Sequence, residues 1–449
     1  MKQSYRIGGV LEFADEGPEF QAVLSRAQSA KSPVLCGCRD AGDQRLYISK
    51  RFGRFVLSRW PGSGGGHATA CDHFELPDFL SGMGQVRGAA VLEDEATGEA
   101  SLKVNFPMSR GAARVAPSAL SNDKPSVKST GYKLSMRGLL HVLWDRAQLT
   151  HWHPGMLKKR SWFVVRRALL EAADACRMKT LPLCDLLFIP ESWREDDKEG
   201  IAKRRVTSLE RVRRSRDEML MIIAEIKEYH LVQDRLKITF KHLGDMRFVL
   251  DPDMTRRFYK RFEGDLNLFA SDDRTDCHLI LAGSFCRRPE GTYDLIEVAL
   301  MPVNRQWLPY ETGDELELVK QCVREERRFV KGLRVNLDRN VPIASLVLKD
   351  MGERATAVHI HDSELDIGDP LKELMADDRV DHVLWSEGVE LPLPRGWVRQ
   401  AAKSKMARPV SPSPVHASDV VVEGEAVAAG NVDGRKMADK QGFEAYADS

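Results

Sequence analysis

Three cysteines and one histidine gathered around a single hairpin make the clearest chemical demand in this chain. Cys36 and Cys38 are separated by one glycine, and His67 and Cys71 lie four apart. Three thiolates and an imidazole form the closed tetrahedral shell that structural zinc prefers, and they leave no coordination position for a catalytic water. The stretch therefore reads as a metal clip rather than an active centre; the bland alternative is three buried thiols and a surface histidine. His73 competes with His67 for the fourth position, and the His-x-x-x-Cys pair, with room for a tight turn at the metal, favours His67. The glycine run Gly62–Gly66 lacks the Lys-Ser or Lys-Thr of a phosphate-binding loop, so it reads as a hinge that lets His67 reach the metal.

Between the ligands runs LYISKRFGRFVLSRW, where Tyr47, Phe55 and Trp60 are strand formers and Gly53 marks the turn. It carries Arg45, Lys50, Arg51, Arg54 and Arg59. Basic side chains interleaved with rings suit nucleic acid, where cations neutralise phosphate and rings stack on bases. Further along, Lys158, Lys159 and Arg160 lead into a helix, and KRRVTSLERVRRSR holds Arg204, Arg205, Arg213 and Arg214. Such a run can meet phosphate, although a solvated helix face is its commoner use.

Glu225-Ile226-Lys227 offers a different chemistry. On an apolar strand, period-two geometry places both charged side chains on one side of the sheet. That arrangement suits a metal-dependent nuclease, in which a carboxylate holds magnesium and a lysine steadies the attacking water. The nearest second acid, Asp217, begins the same strand, and an ordinary ion pair is the simpler account. His359 and His361, with Asp362 after them, read as a partly buried strand end. No Gly-x-Ser-x-Gly elbow is present.

The elements that must position these residues fall into an α+β, multi-domain chain: an N-terminal β-rich zinc-clipped module, a central helical hairpin and a C-terminal mixed α/β domain. At 449 residues the chain is long enough for roughly two to four modules. Residues 1–116 form the β-rich module, with a second hairpin turning near Thr97 and Gly98, and 117–130 form a polar linker. Residues 131–192 change to a helical period. One helix, capped by Ser135, carries Leu139, Leu140, Leu143, Trp144 and Ala147, and a second carries Trp162, Val165, Leu169, Ala172 and Cys176; together they are helix-turn-helix-like. A basic connector spans 193–216. The α/β domain spans 217–366, with ELELVKQCVREERRFVKGL as one long helix, and 400–449 reads as a disordered tail. Net charge is +1, so local runs decide more than the total. The start lacks a signal-peptide pattern and no apolar run could span a bilayer, which predicts a cytoplasmic protein with no membrane partner. In that compartment Cys176, Cys184, Cys277, Cys286 and Cys322 are expected as core thiols.

The stretches CGC with HATAC, LLHVLWDRAQLTHWHPG, KKRSWFVVRRALLEAA, AEIKE, MPVNRQWLPYE and RRFVKGLRVNL resemble an uncharacterised bacterial family, catalogued as domain of unknown function 1173 and carried on plasmids and integrative conjugative elements. The resemblance spans roughly residues 30 to 350. It implies a His-x-x-x-Cys pair at His67 and Cys71, with His73 a local extra, and a bacterial protein tied to the maintenance or transfer of mobile DNA. The resulting expectation is a non-enzymatic nucleic-acid-binding accessory protein, its partner most naturally DNA, with structural zinc. The alternatives are a nuclease centred on Glu225 and Lys227, or a protein-interaction scaffold in a conjugation or defence complex with Trp307 as its anchor. The SWIM zinc modules, with their Cys-x-Cys and Cys-x-His order, are similar to Cys36-Gly-Cys38 and Cys71-Asp72-His73, which keeps His73 in view.

Overall fold

The computed structural model describes residues 3–13, 17–39, 44–51, 53–60, 62–94, 97–109, 132–215, 217–271, 277–338, 341–360 and 368–394. The expected linker 117–130, His361 with Asp362, and the expected tail 400–449 lie outside the described residues. The N-terminal elements are β1 (Ser4–Ile7), β2 (Val10–Phe13), α1 (Pro18–Ser29), β3 (Val34–Cys36), β4 (Arg45–Arg51), β5 (Arg54–Arg59), β6 (Val91–Glu93) and β7 (Ala100–Leu102). Then come α2 (Met136–Arg146), β8 (His151–Trp152), α3 (Trp162–Asp174), β9 (Cys176–Met178), β10 (Leu181–Pro182), β11 (Leu187–Phe188), α4 (Lys198–Ser208) and α5 (Glu210–Arg214). The remainder is β12 (Leu220–Val232), β13 (Arg235–Phe240), β14 (Phe248–Leu250), α6 (Pro252–Ser271), β15 (Cys277–Arg287) and β16 (Tyr293–Asn304), followed by α7 (Gly313–Arg324), β17 (Phe329–Lys331), β18 (Leu346–Leu348), β19 (Thr356–Ile360), α8 (Gly368–Met375) and β20 (Asp381–Trp385).

The mixed α+β character expected from the sequence holds, and the strands form four sheets. The first runs β2-β1-β3-β4-β5. Its β4–β5 pair is the anticipated hairpin, in the register Leu46↔Arg59 to Arg51↔Arg54. Alternation turns Leu46, Ile48, Phe55 and Leu57 toward a small core with Tyr5, Leu24 and Ala27. The second sheet runs β10-β9-β7-β6, and β6–β7 is the other anticipated hairpin.

In the third sheet, β11-β12-β13-β14-β16-β15, the additional β12–β15 pairing closes the strands into a small barrel. Leu220, Ile222, Ala224 and Ile226 of β12 fill the barrel with Phe240, Phe248 and Phe285, while Met221 and Ile223 join the largest core outside it. A strand covered on both faces is a continuous apolar run, as the first half of β12, Leu220 to Ala224, is. The outer core takes its helical side from α2 and α3, through Leu139, Leu143, Trp144, Val165 and Leu169. Ser135 caps α2 as expected, its hydroxyl accepting from the Gly138 amide.

The two helices are not joined by the three- or four-residue turn of a helix-turn-helix. The segment between them contains β8, which pairs with β17 and so belongs to the fourth sheet, β20-β19-β18-β17-β8. The expected long helix from Glu315 stops at Arg324, and Phe329–Lys331 is strand β17. No described helix is long and apolar enough to cross a membrane.

Candidate metal centre

Each of the four expected ligands comes from a different local structure. Cys36 ends β3, Cys38 lies in the turn after it, and His67 follows the glycine run, whose last residues wind into a single 3-10 turn, Gly64–Gly66. That turn packs so closely that a Cβ on Gly64 would lie 2.2 Å from the Glu75 Cβ. Hydrogen bonding of the Cys71 amide to the Ala68 carbonyl then turns the chain back toward Cys36.

One ligand atom from each of Cys36, Cys38, His67 and Cys71 falls within 4.8 Å of all the others. The Sγ atoms of Cys36 and Cys71 are 3.7 Å apart, and His67 Nδ1 lies 3.5 Å from Cys38 Sγ and 3.7 Å from Cys71 Sγ. With zinc–sulfur bonds of about 2.3 Å and zinc–nitrogen bonds of about 2.0–2.1 Å, a tetrahedral ion requires S···S edges of about 3.8 Å and S···N edges of about 3.6 Å. The residues therefore fit a metal ion, and their chemistry is consistent with zinc. His73 stays outside the set: its Nε2 lies 3.3 Å from the Tyr5 hydroxyl, and its backbone amide donates to Cys71 Sγ at 3.3 Å.

Donors surround the sulfurs. Gln3 Nε2 donates to Cys71 Sγ at 2.7 Å and to Cys36 Sγ at 3.4 Å, and the Ala68 amide donates to Cys38 Sγ at 3.4 Å. The hydrogen bond with Cys71 pulls the Cys36 thiol down to about 3, and the same bond, with burial, pushes Cys71 up. Lys349 Nζ donates to the Cys71 carbonyl at 2.9 Å, and burial pulls that amine down to about 8. Gln3 and Lys349 carried no sequence signal, because neither lies near the ligands along the chain. His67 Nε2 is buried and makes no hydrogen bond among the described residues.

Several of the expected nucleic-acid residues are held by partners within the chain. Arg59 is held by Glu75 at 2.7 Å. Arg160 is turned inward, donating to the carbonyls of Leu149, His151 and Gln306, and burial pulls it down to about 10. Arg204 pairs with Glu191 and Asp197, Arg205 with Asp245, and Arg214 with Glu210. Arg45, Arg54, Lys158, Lys159 and Arg213 are exposed. Lys50 and Arg51 stand opposite Phe55 and Arg54 in the ladder, and their side chains lie outside the described residues.

At Glu225 the structure replaces the expected partner. The β12–β13 register shifts between Ile226 and Glu228. This bulge makes Lys227 the extra residue and breaks the period of two. Lys227 is exposed, whereas Glu225 is buried. Its Oε1 accepts from Lys241 Nζ at 2.5 Å and from His278 Nδ1 at 2.6 Å. Burial pushes this carboxyl up, but the two hydrogen bonds outweigh it and hold the group below the usual carboxylate range.

Asp217 is exposed and precedes β12, whose first residue stands roughly 16 Å along the strand from Glu225. Among the described residues no second acid joins Glu225 in a metal-ligating group. Trp307 is buried, its ring stacked on His278 at 4.0 Å and its carbonyl accepting from Trp144 Nε1, so it anchors the fold from within.

A family model described as "Protein of unknown function (DUF1173)" matches residues 5–388. No curated protein and no solved structure matches the chain.

Proposed function

The chain belongs to this family of proteins of unknown function, and from that premise we propose a zinc-stapled, non-enzymatic nucleic-acid-binding accessory protein. The carrying observation is that all four ligand atoms lie within 4.8 Å of one another and that three of their six separations, 3.5 to 3.7 Å, match the edges of a zinc tetrahedron with every vertex supplied by protein. A closed shell of this kind holds structure. What it holds is the β4–β5 hairpin, whose Arg45 and Arg54 are exposed while Leu46, Ile48 and Leu57 pack inward.

Exposed arginines on a stapled hairpin favour phosphate contact, and the setting on bacterial mobile elements in the cytoplasm rests on the family resemblance. The nuclease alternative loses support from the Lys241 and His278 partners of Glu225, and a scaffold role loses its proposed anchor with Trp307 buried. Fluorescence anisotropy with single- and double-stranded DNA at two salt concentrations tests the reading. Binding that weakens steeply with salt, and that falls in an Arg45→Ala/Arg54→Ala double variant, is expected. Absence of binding by zinc-loaded protein to either DNA sinks it.

A further inference from the structure

Two histidines meet end to end at the edge of the fourth sheet. His359 of β19 is buried, and its Nε2 lies 2.9 Å from Nδ1 of His382 on the outermost strand, β20. The ring centroids are 5.2 Å apart and the ring planes differ by 21°. That distance is the nitrogen separation plus the two ring radii, so the facing nitrogens lie on the line between the rings and aim at each other. The outer nitrogens are engaged as well. His359 Nδ1 is 3.2 Å from the Ile343 carbonyl oxygen, and His382 Nε2 is 2.9 Å from that of Asp377.

Counting protons decides the state of the pair. A carbonyl only accepts, so both outer nitrogens must carry hydrogen. Each neutral imidazole has one hydrogen to give, and with both spent on the outside two bare lone pairs would face each other at 2.9 Å. A third proton between the rings turns that repulsion into a charge-assisted hydrogen bond. A metal ion does not fit on this line, because two zinc–nitrogen bonds of about 2.0–2.1 Å would hold the nitrogens roughly 4 Å apart.

Burial, with His382 adding to it, pulls His359 down to about 4, so the charge belongs on His382, the more exposed ring. The Asp377 carboxyl favours it there. Hydrogen bonds from Arg379 hold that acid down to about 2, and His382 adds to the effect. It therefore stays negative wherever an ordinary imidazole, at about 6.5, titrates. Of the other charged side chains described around the pair, Lys372 and Glu373 of α8 and Asp378 are exposed, and Asp381 of β20 pairs with Arg354 at 3.4 Å. Neither β18 nor the rest of β19 carries a titratable side chain.

We propose that His359 and His382 form a proton-binding site, two rings sharing three protons, which clasps β20 and the turn after α8 to β19 and lets go when the third proton leaves. The position gives it leverage, since β20 pairs with no strand but β19. The inference goes beyond the nucleic-acid reading and does not depend on it.

The test uses the full zinc-loaded chain with nitrogen-15 histidine, the two rings being assigned from His359→Gln and His382→Gln. At pH 6 both nitrogens of His382 and Nδ1 of His359 are expected to carry protons, with a scalar coupling between the facing nitrogens that is gone at pH 9. An unprotonated outer nitrogen at pH 6, or no coupling, overturns the site.

Amide exchange, corrected for its intrinsic pH dependence, reads the clasp. From pH 6 to pH 9 the β20 and 376–380 amides should lose at least about tenfold protection relative to β18, the worth of one charged hydrogen bond. His382→Gln keeps a donor for the Asp377 carbonyl but cannot titrate, and should exchange at the faster level at both pH values. Protection that ignores pH in the wild type, or that falls equally in His382→Gln, overturns the clasp. So does a zinc content that drops by one per chain in His382→Gln, which would put an ion where the proton is placed.

Discussion

At the scale of single residues, the metal centre makes the sharpest demands. Replacing Cys38 by Ser removes a thiolate, and His67→Ala removes the only imidazole in the ligand set, so each is expected to lower zinc content well below one per chain. His73→Ala should leave the metal in place, because that ring lies outside the tetrahedron and bonds to Tyr5 instead. Metal analysis of the three purified variants beside the wild type checks this, and equal loss in His67→Ala and His73→Ala would contradict the assignment. The four ligands were legible because metal coordination restricts residue type and spacing so tightly. Gln3 and Lys349 were not, since any Gln or Lys in the chain could have served and only the fold brings these two to the sulfurs. Lys227 misled for the opposite reason: its spacing from Glu225 was right for a regular strand, and the bulge that displaces it leaves no mark on side-chain pattern.

Among elements, Glu75 ties the hairpin to the chain behind it, because it pairs with Arg59 of β5 and with Arg87, both at 2.7 Å. Burial pushes this carboxyl up, but the two guanidiniums outweigh it and hold the group down to about 2. The folded value is below the unfolded one, so the contribution is complete above about pH 4.5 and is lost as pH falls toward 2. The full effect is about 3 kcal/mol. Urea midpoints of wild type and Glu75→Gln, compared between pH 7 and pH 3, should converge on acidification; a gap independent of pH would show that the charge does not matter. A steric test addresses the adjoining glycine turn. Gly64→Ala places a methyl within 2.2 Å of the Glu75 Cβ and 2.9 Å of its backbone nitrogen. The strain should cost about 1–3 kcal/mol, read as a lower urea midpoint, and an unchanged midpoint would mean that the turn yields freely. Several elements were legible from period alone, among them both hairpins, β12, α2 and α3. The helix α7 overran in the sequence reading because its stop has no glycine. Glu326 takes the left-handed conformation at φ 55°, and the Arg327 amide returns to the Cys322 carbonyl at 2.9 Å, closing the helix where a Gly would ordinarily announce the end. Beyond it, pairing with β8 and β18 draws Phe329–Lys331 into a strand.

For the whole molecule, the decisive contrast is between two cores of unequal independence. The largest runs from Met83 to Val335 and joins α2 and α3 to the outer face of the barrel, a closure made by strands far apart in sequence and therefore invisible to local pattern. The N-terminal core is small: Tyr5, Ile7, Leu24, Ala27, Val34, Leu46, Cys36 and Cys71. Two of those members belong to the cluster that could hold a metal ion, and a bound ion would replace apolar area that so small a core lacks. Removing the metal with a chelator exposes three thiol groups to mutual crowding and frees the turns that carry them, while nothing in the barrel loses a partner. Amide exchange followed by mass spectrometry should then show β3, β4, β5 and residues 67–71 exchanging at least about tenfold faster, a loss of about 1.4 kcal/mol or more in local stability. The β12, β15 and β16 amides should keep their protection. Uniform acceleration across both cores would mean instead that the metal holds the entire fold, and unchanged exchange in β3–β5 would mean that the sheet stands without it.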